Sequence, residues 1–75
     1  MKELVLFIVK RLTETPEAVS VSEFQDGDTA VLKLVVAEED KGKVIGKQGK
    51  VIKAIRAVVG AAAVKAGKKV AVEID

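Results

Sequence analysis

Two glycines three positions apart, Gly46 and Gly49, separate two stretches of chain that have the apolar spacing of α-helices. This feature constrains the fold more than any other, because glycine adopts positive φ angles without a steric penalty. The pair therefore predicts a tight bend between a short helix and a long one. Both helices must leave this bend with apolar sides that can share one core.

The chain has few means of stabilisation other than an aliphatic core. It has 75 residues, 49% of them hydrophobic, with no cysteine for a disulfide and no histidine, so a zinc site is not expected. The length predicts a single domain, residues 1–75. Phe7 and Phe24 are the only aromatic residues, so nucleic-acid binding cannot depend on aromatic stacking.

The residue types also argue against catalysis. Ser20 and Ser22 have no histidine to activate them. Glu38, Glu39 and Asp40 suit the start of a helix, where the helix dipole favours acids, better than an acid–base pair or a metal site. We therefore expect a protein that is not an enzyme and needs neither metal nor cofactor.

Hydrophobic periodicity and turn residues predict six elements in the order α-β-β-α-α-β. The predicted helices cover residues 2–13, 38–45 and 50–66, and the predicted strands cover residues 19–25, 29–36 and 69–74. A hairpin turn at 26–28 makes the first two strands antiparallel, and the helix pair returns the chain to a third strand parallel to the second. The expected fold class is α+β, a three-stranded mixed sheet covered on one face by three helices.

The first and last helices each have a predicted core side. In residues 2–13, Leu6 and Phe7 lie outside the apolar arc, which contains Leu4, Val5, Ile8, Val9 and Leu12. The excess indicates burial on two sides or a partner contact. In residues 50–66 the predicted apolar side contains Val51, Ile52, Ile55, Val58, Val59, Ala62, Ala63 and Ala66. Close packing of main chain on main chain is the simplest explanation for Gly60 in this helix, and a helix-mediated dimer is a weaker alternative.

The net charge of +2 conceals a strong asymmetry. Residues 1–40 carry four basic and nine acidic side chains, a net charge of −5, whereas residues 41–75 carry nine basic and two acidic ones, a net charge of +7. A basic half indicates a polyanionic partner. A charge run by itself is better explained as a solvated surface.

The predicted bend has the features of a phosphate clamp. Its glycines lack side chains that would hold a sugar–phosphate strand away from the main chain, and the amides that begin the following helix favour anions. Lys47 and Lys50 add charge at the bend, and the patch extends along both helices through Lys43, Lys53 and Arg56. A nucleotide-binding P-loop does not fit, because three residues instead of four separate Gly42 from Gly46.

Residues 44–50, followed by Ile52, Lys53 and Ile55, resemble the GXXG signature of KH domains. With the predicted element order, the whole chain resembles type II KH domains, and in particular the bacterial single-KH-domain KhpA family. The resemblance implies non-catalytic binding of about four nucleotides of single-stranded RNA, with single-stranded DNA as an alternative. The implied RNA-binding residues are Lys43, Ile45, Gly46, Lys47, Gln48, Gly49, Lys50, Lys53 and Arg56.

The resemblance implies further properties. Ile45 and Ile52 would border the groove for the bases, although core packing is the better explanation for at least two of Val44, Ile45 and Ile52. The segment 66–69 would form the opposite wall, and its shortness implies a shallow groove with little sequence selectivity. Family resemblance also implies a homodimer, or a heterodimer with a Jag-type multidomain KH protein, that acts as an RNA chaperone or post-transcriptional regulator.

Two other functions remain open. Leu6 and Phe7 also suit a protein–protein module in which nucleic-acid binding is secondary. The helix at 50–66 would alternatively read duplex DNA in a helix–turn–helix, but Val51 and Ile52 stand where polar base-reading side chains are usual. No stretch reaches the roughly 18 apolar residues that a membrane span needs, so we expect a cytoplasmic protein.

Overall fold

The computed structural model describes residues 1–75. Its helices are α1 (Lys2–Leu12), α2 (Lys41–Ile45) and α3 (Lys50–Lys65), and its strands are β1 (Ser20–Asp26), β2 (Thr29–Val35) and β3 (Lys69–Ile74). Short 3₁₀ turns lie at Pro16–Ala18, Glu38–Asp40 and Lys47–Gly49. The order of elements is the predicted one. Residues 38–40 form a separate turn instead of the first turn of the second helix, and Asp40 does not cap α2 with its side chain.

The three strands form one mixed sheet with β2 at its centre. β1 and β2 pair antiparallel, with Phe24 opposite Val31, and β2 and β3 pair parallel, with Val72 opposite Leu32. Gly27, at φ +64°, lies in the tight turn that joins β1 to β2. The predicted hairpin and the predicted parallel third strand are therefore both confirmed.

The helices pack on one face of the sheet and enclose an aliphatic core. Val5 and Val9 of α1, Leu34 of β2, Val44 of α2 and Val59 of α3 are all almost fully buried. A core built from every layer explains how so short a chain buries enough apolar surface without disulfides.

The two apolar residues of α1 that lie outside its predicted apolar arc, Leu6 and Phe7, have different surroundings. Leu6 is half-buried and packs against the core, whereas the side chain of Phe7 is 59% exposed. The guanidinium carbon of Arg11 lies 4.5 Å from the centre of the Phe7 ring. This cation–π contact covers part of an exposed aromatic ring and is worth about 0.5–1 kcal/mol at such a site.

α3 ends at a Schellman motif, as the position of Gly67 predicts. The N–H of Lys68 donates to the carbonyl of Ala63 at 2.8 Å, and the N–H of Gly67 donates to the carbonyl of Val64 at 3.0 Å. Gly67 has φ +69°, the left-handed conformation that this motif requires. Although α3 is the longest helix, with 16 residues, neither it nor the shorter helices meet the length and hydropathy required to cross a bilayer.

The structure of α3 and its C-terminal end differs from the prediction at three residues, one of which is Ala66, predicted on the apolar side but exposed. The periodicity predicts Val58 on the apolar side, but Val58 is 52% exposed. The buried residues of α3 are Ile52, Ile55, Val59 and Ala63, and Val58 lies at the edge of the stripe that they form. A Cβ atom added at Gly60 would meet no other atom within 4 Å. The prediction of close main-chain packing at this glycine is therefore wrong.

The second face of the sheet carries no helix. The strand register places Phe24, Val31 and Ala71 side by side on this face. Val31 is buried there, whereas Phe24 and Val35 are partly exposed. β2 is therefore apolar on both faces, as predicted for a central strand, but only the helix side is fully covered.

Candidate nucleic-acid interface

The bend between α2 and α3 consists of residues with unusual backbone conformations. Gly46 ends α2 with φ +78° and ψ 169°, and Gly49 precedes α3 in the left-handed region with φ +75°. Gln48, between them, has φ +57° and is the only non-glycine residue of the chain with a positive φ. The two glycines of the motif thus meet the backbone requirement that the sequence predicts.

The two glycines have different steric surroundings. A Cβ at Gly46 would lie 2.8 Å from the main-chain nitrogen of Val51 and would also clash with a methyl group of that residue. A Cβ at Gly49 would have no neighbour closer than 3.9 Å. The close approach of Gly46 to α3 therefore fixes the angle of the bend, whereas Gly49 mainly provides conformational freedom.

The bend is open to solvent. Lys47 and Gln48 are exposed, and Gly46 and Gly49 are half-buried. No side chain caps the N-terminus of α3, and no side-chain hydrogen bond or ion pair of the chain reaches residues 44–53. Two amides of the bend are already bonded, since the N–H of Gly49 donates to the carbonyl of Gly46 at 3.1 Å and the N–H of Lys50 donates to that of Lys47. The first amides of an α-helix have no acceptor within the helix, so at this end of α3 the amides that follow Lys50 remain for an anion.

Three lysines around the bend have free ammonium groups. Lys47 lies in the bend, Lys50 begins α3, and Lys53 follows one turn later; all three are exposed and form no ion pair within the chain. Their positive charge acts at the same place as the partial charge of the helix N-terminus. The structure therefore brings these three predicted residues together at the bend.

The side chain of Arg56 extends from α3 to the edge strand β3. Its Nε–H donates to the carbonyl of Val72 in β3 at 3.0 Å. The main-chain N–H of Asp75 donates to the carbonyl of Leu34 in β2. Successive residues of a strand direct their main-chain polar groups to opposite sides. The carbonyl of Val72, an odd number of positions before Asp75, therefore points to the free edge of β3. Arg56 therefore satisfies one edge carbonyl while its other guanidinium N–H groups remain available.

Lys43 is the predicted RNA-binding residue that is already paired within the chain. Its Nζ lies 2.6 Å from Oε1 of Glu14, which follows α1. The hydrogen bond to the Glu14 carboxylate raises the pKa of Lys43 above its usual range, with a further contribution from the charges of Glu14 and Asp40. Lys43 thus carries a full positive charge at neutral pH, and an internal carboxylate contacts it.

Asp40 is a residue whose role the sequence pattern does not reveal. Its side chain is buried, and its two carboxylate oxygens accept the N–H groups of Glu14 at 3.1 Å and Thr15 at 3.0 Å. These bonds attach the segment after α1 to the start of α2. Glu14 and Thr15 are 26 and 25 residues away from Asp40 in sequence, so no local sequence pattern predicts this contact.

The apolar residues of the motif belong mainly to the core. Ile52 is buried, and Ile45 is half-buried and packs against the core cluster. Ile52 therefore supports the bend from inside, and only Ile45 retains surface that a base would contact. Of the two explanations that the sequence leaves open, core packing applies to Ile52.

The cavity beside the α3–β3 connection is separate from the bend. It has a volume of about 420 Å³ and is lined only by Glu23, Gln25, Asp28, Gly67, Lys68 and Lys69. Nζ of Lys69 lies 3.0 Å from Oδ2 of Asp28 in this region. Since no residue of the bend lines the cavity, the candidate interface is an open surface and not an enclosed pocket.

An exposed Gly-X-X-Gly bend between two helices, packed on a three-stranded sheet and surrounded by lysines, defines a KH domain. This class is non-catalytic. The chain belongs to the KhpA/KhpB KH-domain family, whose family model matches residues 2–74. The predicted family and the predicted α+β fold are thereby confirmed.

Similar proteins carry the name RNA-binding protein KhpA. The chain is 57% identical over 74 residues to that of Clostridium perfringens, with 99% of both chains covered. It is 54% identical to that of Clostridium acetobutylicum, again with 99% of both chains covered. It is 45% identical to that of Chlamydia trachomatis, with 99% of this chain and 95% of the relative covered.

Solved structures of Era contain a similar fold. The chain superimposes on Aquifex aeolicus Era bound to GDP and AlF₄⁻ with a TM-score of 0.60 and 25% identity. It superimposes on Era in complex with MgGDPNP and nucleotides 1506–1542 of 16S ribosomal RNA with a TM-score of 0.61. Each alignment covers 97% of this chain and 28% of Era, so the likeness concerns one part of the larger protein.

Proposed function

We propose that this chain binds single-stranded RNA through the bend at residues 46–49 and the basic surfaces of α2 and α3. The observation that carries the proposal is the open bend, where the start of α3 and three unpaired lysines face solvent without a competing side chain. The proposed contact residues are Lys43, Ile45, Gly46, Lys47, Gln48, Gly49, Lys50, Lys53 and Arg56. The names of the KhpA relatives support RNA as the ligand.

The physical basis of this binding is mainly electrostatic. A bend of this kind contacts about four nucleotides, and each phosphate that a lysine or arginine side chain neutralises releases counterions. The bend has no aromatic residue on which bases would stack, so a contribution of about 1–3 kcal/mol per base is missing. We therefore expect weak affinity with little sequence selectivity, and single-stranded DNA as a second ligand.

Salt dependence tests the proposal directly. With about four phosphate contacts, log K for a short single-stranded RNA should fall with log salt concentration at a slope of about −3. Fluorescence anisotropy over a series of KCl concentrations measures the slope, and amide shifts on titration with RNA locate the site. A slope near zero, amide shifts away from residues 43–56, or tighter binding of duplex DNA would contradict the proposal.

The proposed role in the cell follows from weak and unselective binding. We propose an RNA chaperone or post-transcriptional regulator that acts in the cytoplasm as a single KH domain, residues 1–75, without a cofactor. A protein that releases RNA readily is able to act on many transcripts in turn, which suits either role. The proposed alternative is an interaction module in which nucleic-acid binding is secondary.

The exposed apolar side chains favour self-association as that second function. On α3, Val58 and Val64 are exposed beside exposed alanines, and Phe7 of α1 is exposed as well. We propose a homodimer, or a heterodimer with a Jag-type multidomain KH protein. Sedimentation velocity over a concentration series should show a sedimentation coefficient that rises with concentration, and a strict monomer at high concentration would contradict the homodimer.

A further inference from the structure

Glu14 is held beside α2 by its main chain as well as by its side chain. The N–H groups of Glu14 and Thr15 both donate to the buried carboxylate of Asp40, which immediately precedes α2. The Glu14 carboxylate then contacts the ammonium group of Lys43 at 2.6 Å. Because the main chain is anchored, the Glu14 carboxylate stays near Lys43 even when the ion pair opens.

The position of Lys43 brings an RNA phosphate and the Glu14 carboxylate into competition. Lys43 lies three residues before Gly46, so its Cα is about 4.5 Å from the bend along the helix axis. Its four-carbon side chain is long enough to reach a phosphate at the bend. The Glu14 carboxylate uses the same N–H donors, and its negative charge repels the phosphate.

We propose that Glu14 limits the affinity for RNA, because its carboxylate must release Lys43 before Lys43 contacts a phosphate. This inference rests on the RNA-binding function proposed above. The two side chains are 47% and 79% exposed, and exposed ion pairs are weak. The exchange of Glu14 for phosphate is therefore readily reversible, so that Glu14 lowers the affinity moderately and does not block the site.

Glu14→Gln tests the inference by removing the charge and keeping the size of the side chain. The bonds to Asp40 use main-chain N–H groups and remain possible. The Kd for short single-stranded RNAs of random sequence should fall about twofold to fivefold. The slope of log K against log salt should stay near about −3, because Lys43 contacts the same phosphate in both complexes once Glu14 has released it. Glu14→Ala should give the same result, independent of any effect of the new amide.

Glu17→Gln is the matched control. Glu17 lies in the same connection, is exposed and forms no ion pair, so the substitution changes the net charge equally. Glu17→Gln should raise the affinity for RNA clearly less than Glu14→Gln does. An equal gain would assign the effect to overall charge and overturn the inference. The gain from Glu14→Gln should also disappear when Lys43→Gln is added, and persistence of the gain would overturn it too.

RNA binding by the bend variant Lys47→Asp/Gln48→Asp and by Glu14→Gln distinguishes an error about Glu14 from an error about RNA binding at the bend. If Lys47→Asp/Gln48→Asp abolishes RNA binding while Glu14→Gln binds RNA with the affinity of the unmodified chain, the bend binds RNA and Glu14 does not limit the affinity. If the unmodified chain binds no RNA, or binds RNA equally well with both bend substitutions, the proposed function itself is wrong.

Discussion

Replacing Lys47 and Gln48 by aspartate should lower the affinity for single-stranded RNA by about thirtyfold and leave the chain folded. The two substitutions change the charge of the bend by −3. A unit charge about 6 Å from a phosphate in water contributes about 0.7 kcal/mol, so three charges amount to about 2 kcal/mol, or roughly thirtyfold. Salt screens part of this repulsion, whereas neighbouring phosphates add to it, so the expected loss is on the order of thirtyfold.

The fold should tolerate this double substitution. Both side chains are exposed, and neither makes a hydrogen bond or an ion pair within the chain. Gln48 has φ +57°, a left-handed conformation in which aspartate is enriched. Circular dichroism and thermal unfolding would check that the variant remains native.

A control with the same chemistry separates the bend from overall charge. Lys2→Asp/Gln25→Asp makes the same two kinds of substitution at exposed residues of α1 and β1, outside the proposed site. It should reduce the affinity for RNA only a few fold, through long-range charge that salt screens. If both double variants lost affinity equally, the bend would have no special role in binding.

Gly46→Ala should destabilise the domain by about 3 kcal/mol or more. Gly46 has φ +78° and ψ 169°, a region that is essentially restricted to glycine and costs other residues about 1–3 kcal/mol. A Cβ at this position would also lie 2.8 Å from the main-chain nitrogen of Val51, which cannot move without shifting α3. For a domain of this size, a loss of 3 kcal/mol lowers Tm by roughly 12–24 °C.

Gly49→Ala and Gly60→Ala serve as controls for the steric argument. Gly49 also has a positive φ, but its added Cβ has no neighbour closer than 3.9 Å, so the expected cost is only the left-handed backbone, about 1–2 kcal/mol. Gly60 lies inside α3 with open space around it, so Gly60→Ala should stabilise the domain by up to about 1 kcal/mol. Equal losses at Gly46 and Gly49 in chemical denaturation would show that contact with Val51 is unimportant.

Local sequence pattern was sufficient to predict much of this fold. Each strand and helix has an apolar repeat or a turn residue that acts within a few positions, such as Gly67 at the end of α3 and Gly27 in the hairpin. The bend is equally local, because its backbone needs two glycines and its charge comes from adjacent lysines. For the same reason Lys47, Lys50 and Lys53 are found where the sequence places them.

Periodicity was less reliable where a residue lies at the margin of an apolar arc. Leu6 and Val58 show this in opposite directions, since Leu6 packs against the core and Val58 is largely exposed. A helical wheel assigns a direction to each side chain, but the neighbouring elements decide how wide a strip they cover. The width of the strip that is buried depends on how the helix packs against its neighbours, so it cannot be predicted from the sequence of that helix alone.

The amino-acid sequence alone determines the order of the elements, the conformation of the bend and the charge around it, because these properties depend on residues that are neighbours in the chain. Only the tertiary structure decides which of the basic side chains are free. It pairs Lys43 with Glu14, directs Arg56 to the carbonyl of Val72, and buries Asp40 under the segment after α1. These contacts join residues that are far apart in the chain, and only the packing of α1, α2, α3 and β3 brings them within bonding distance.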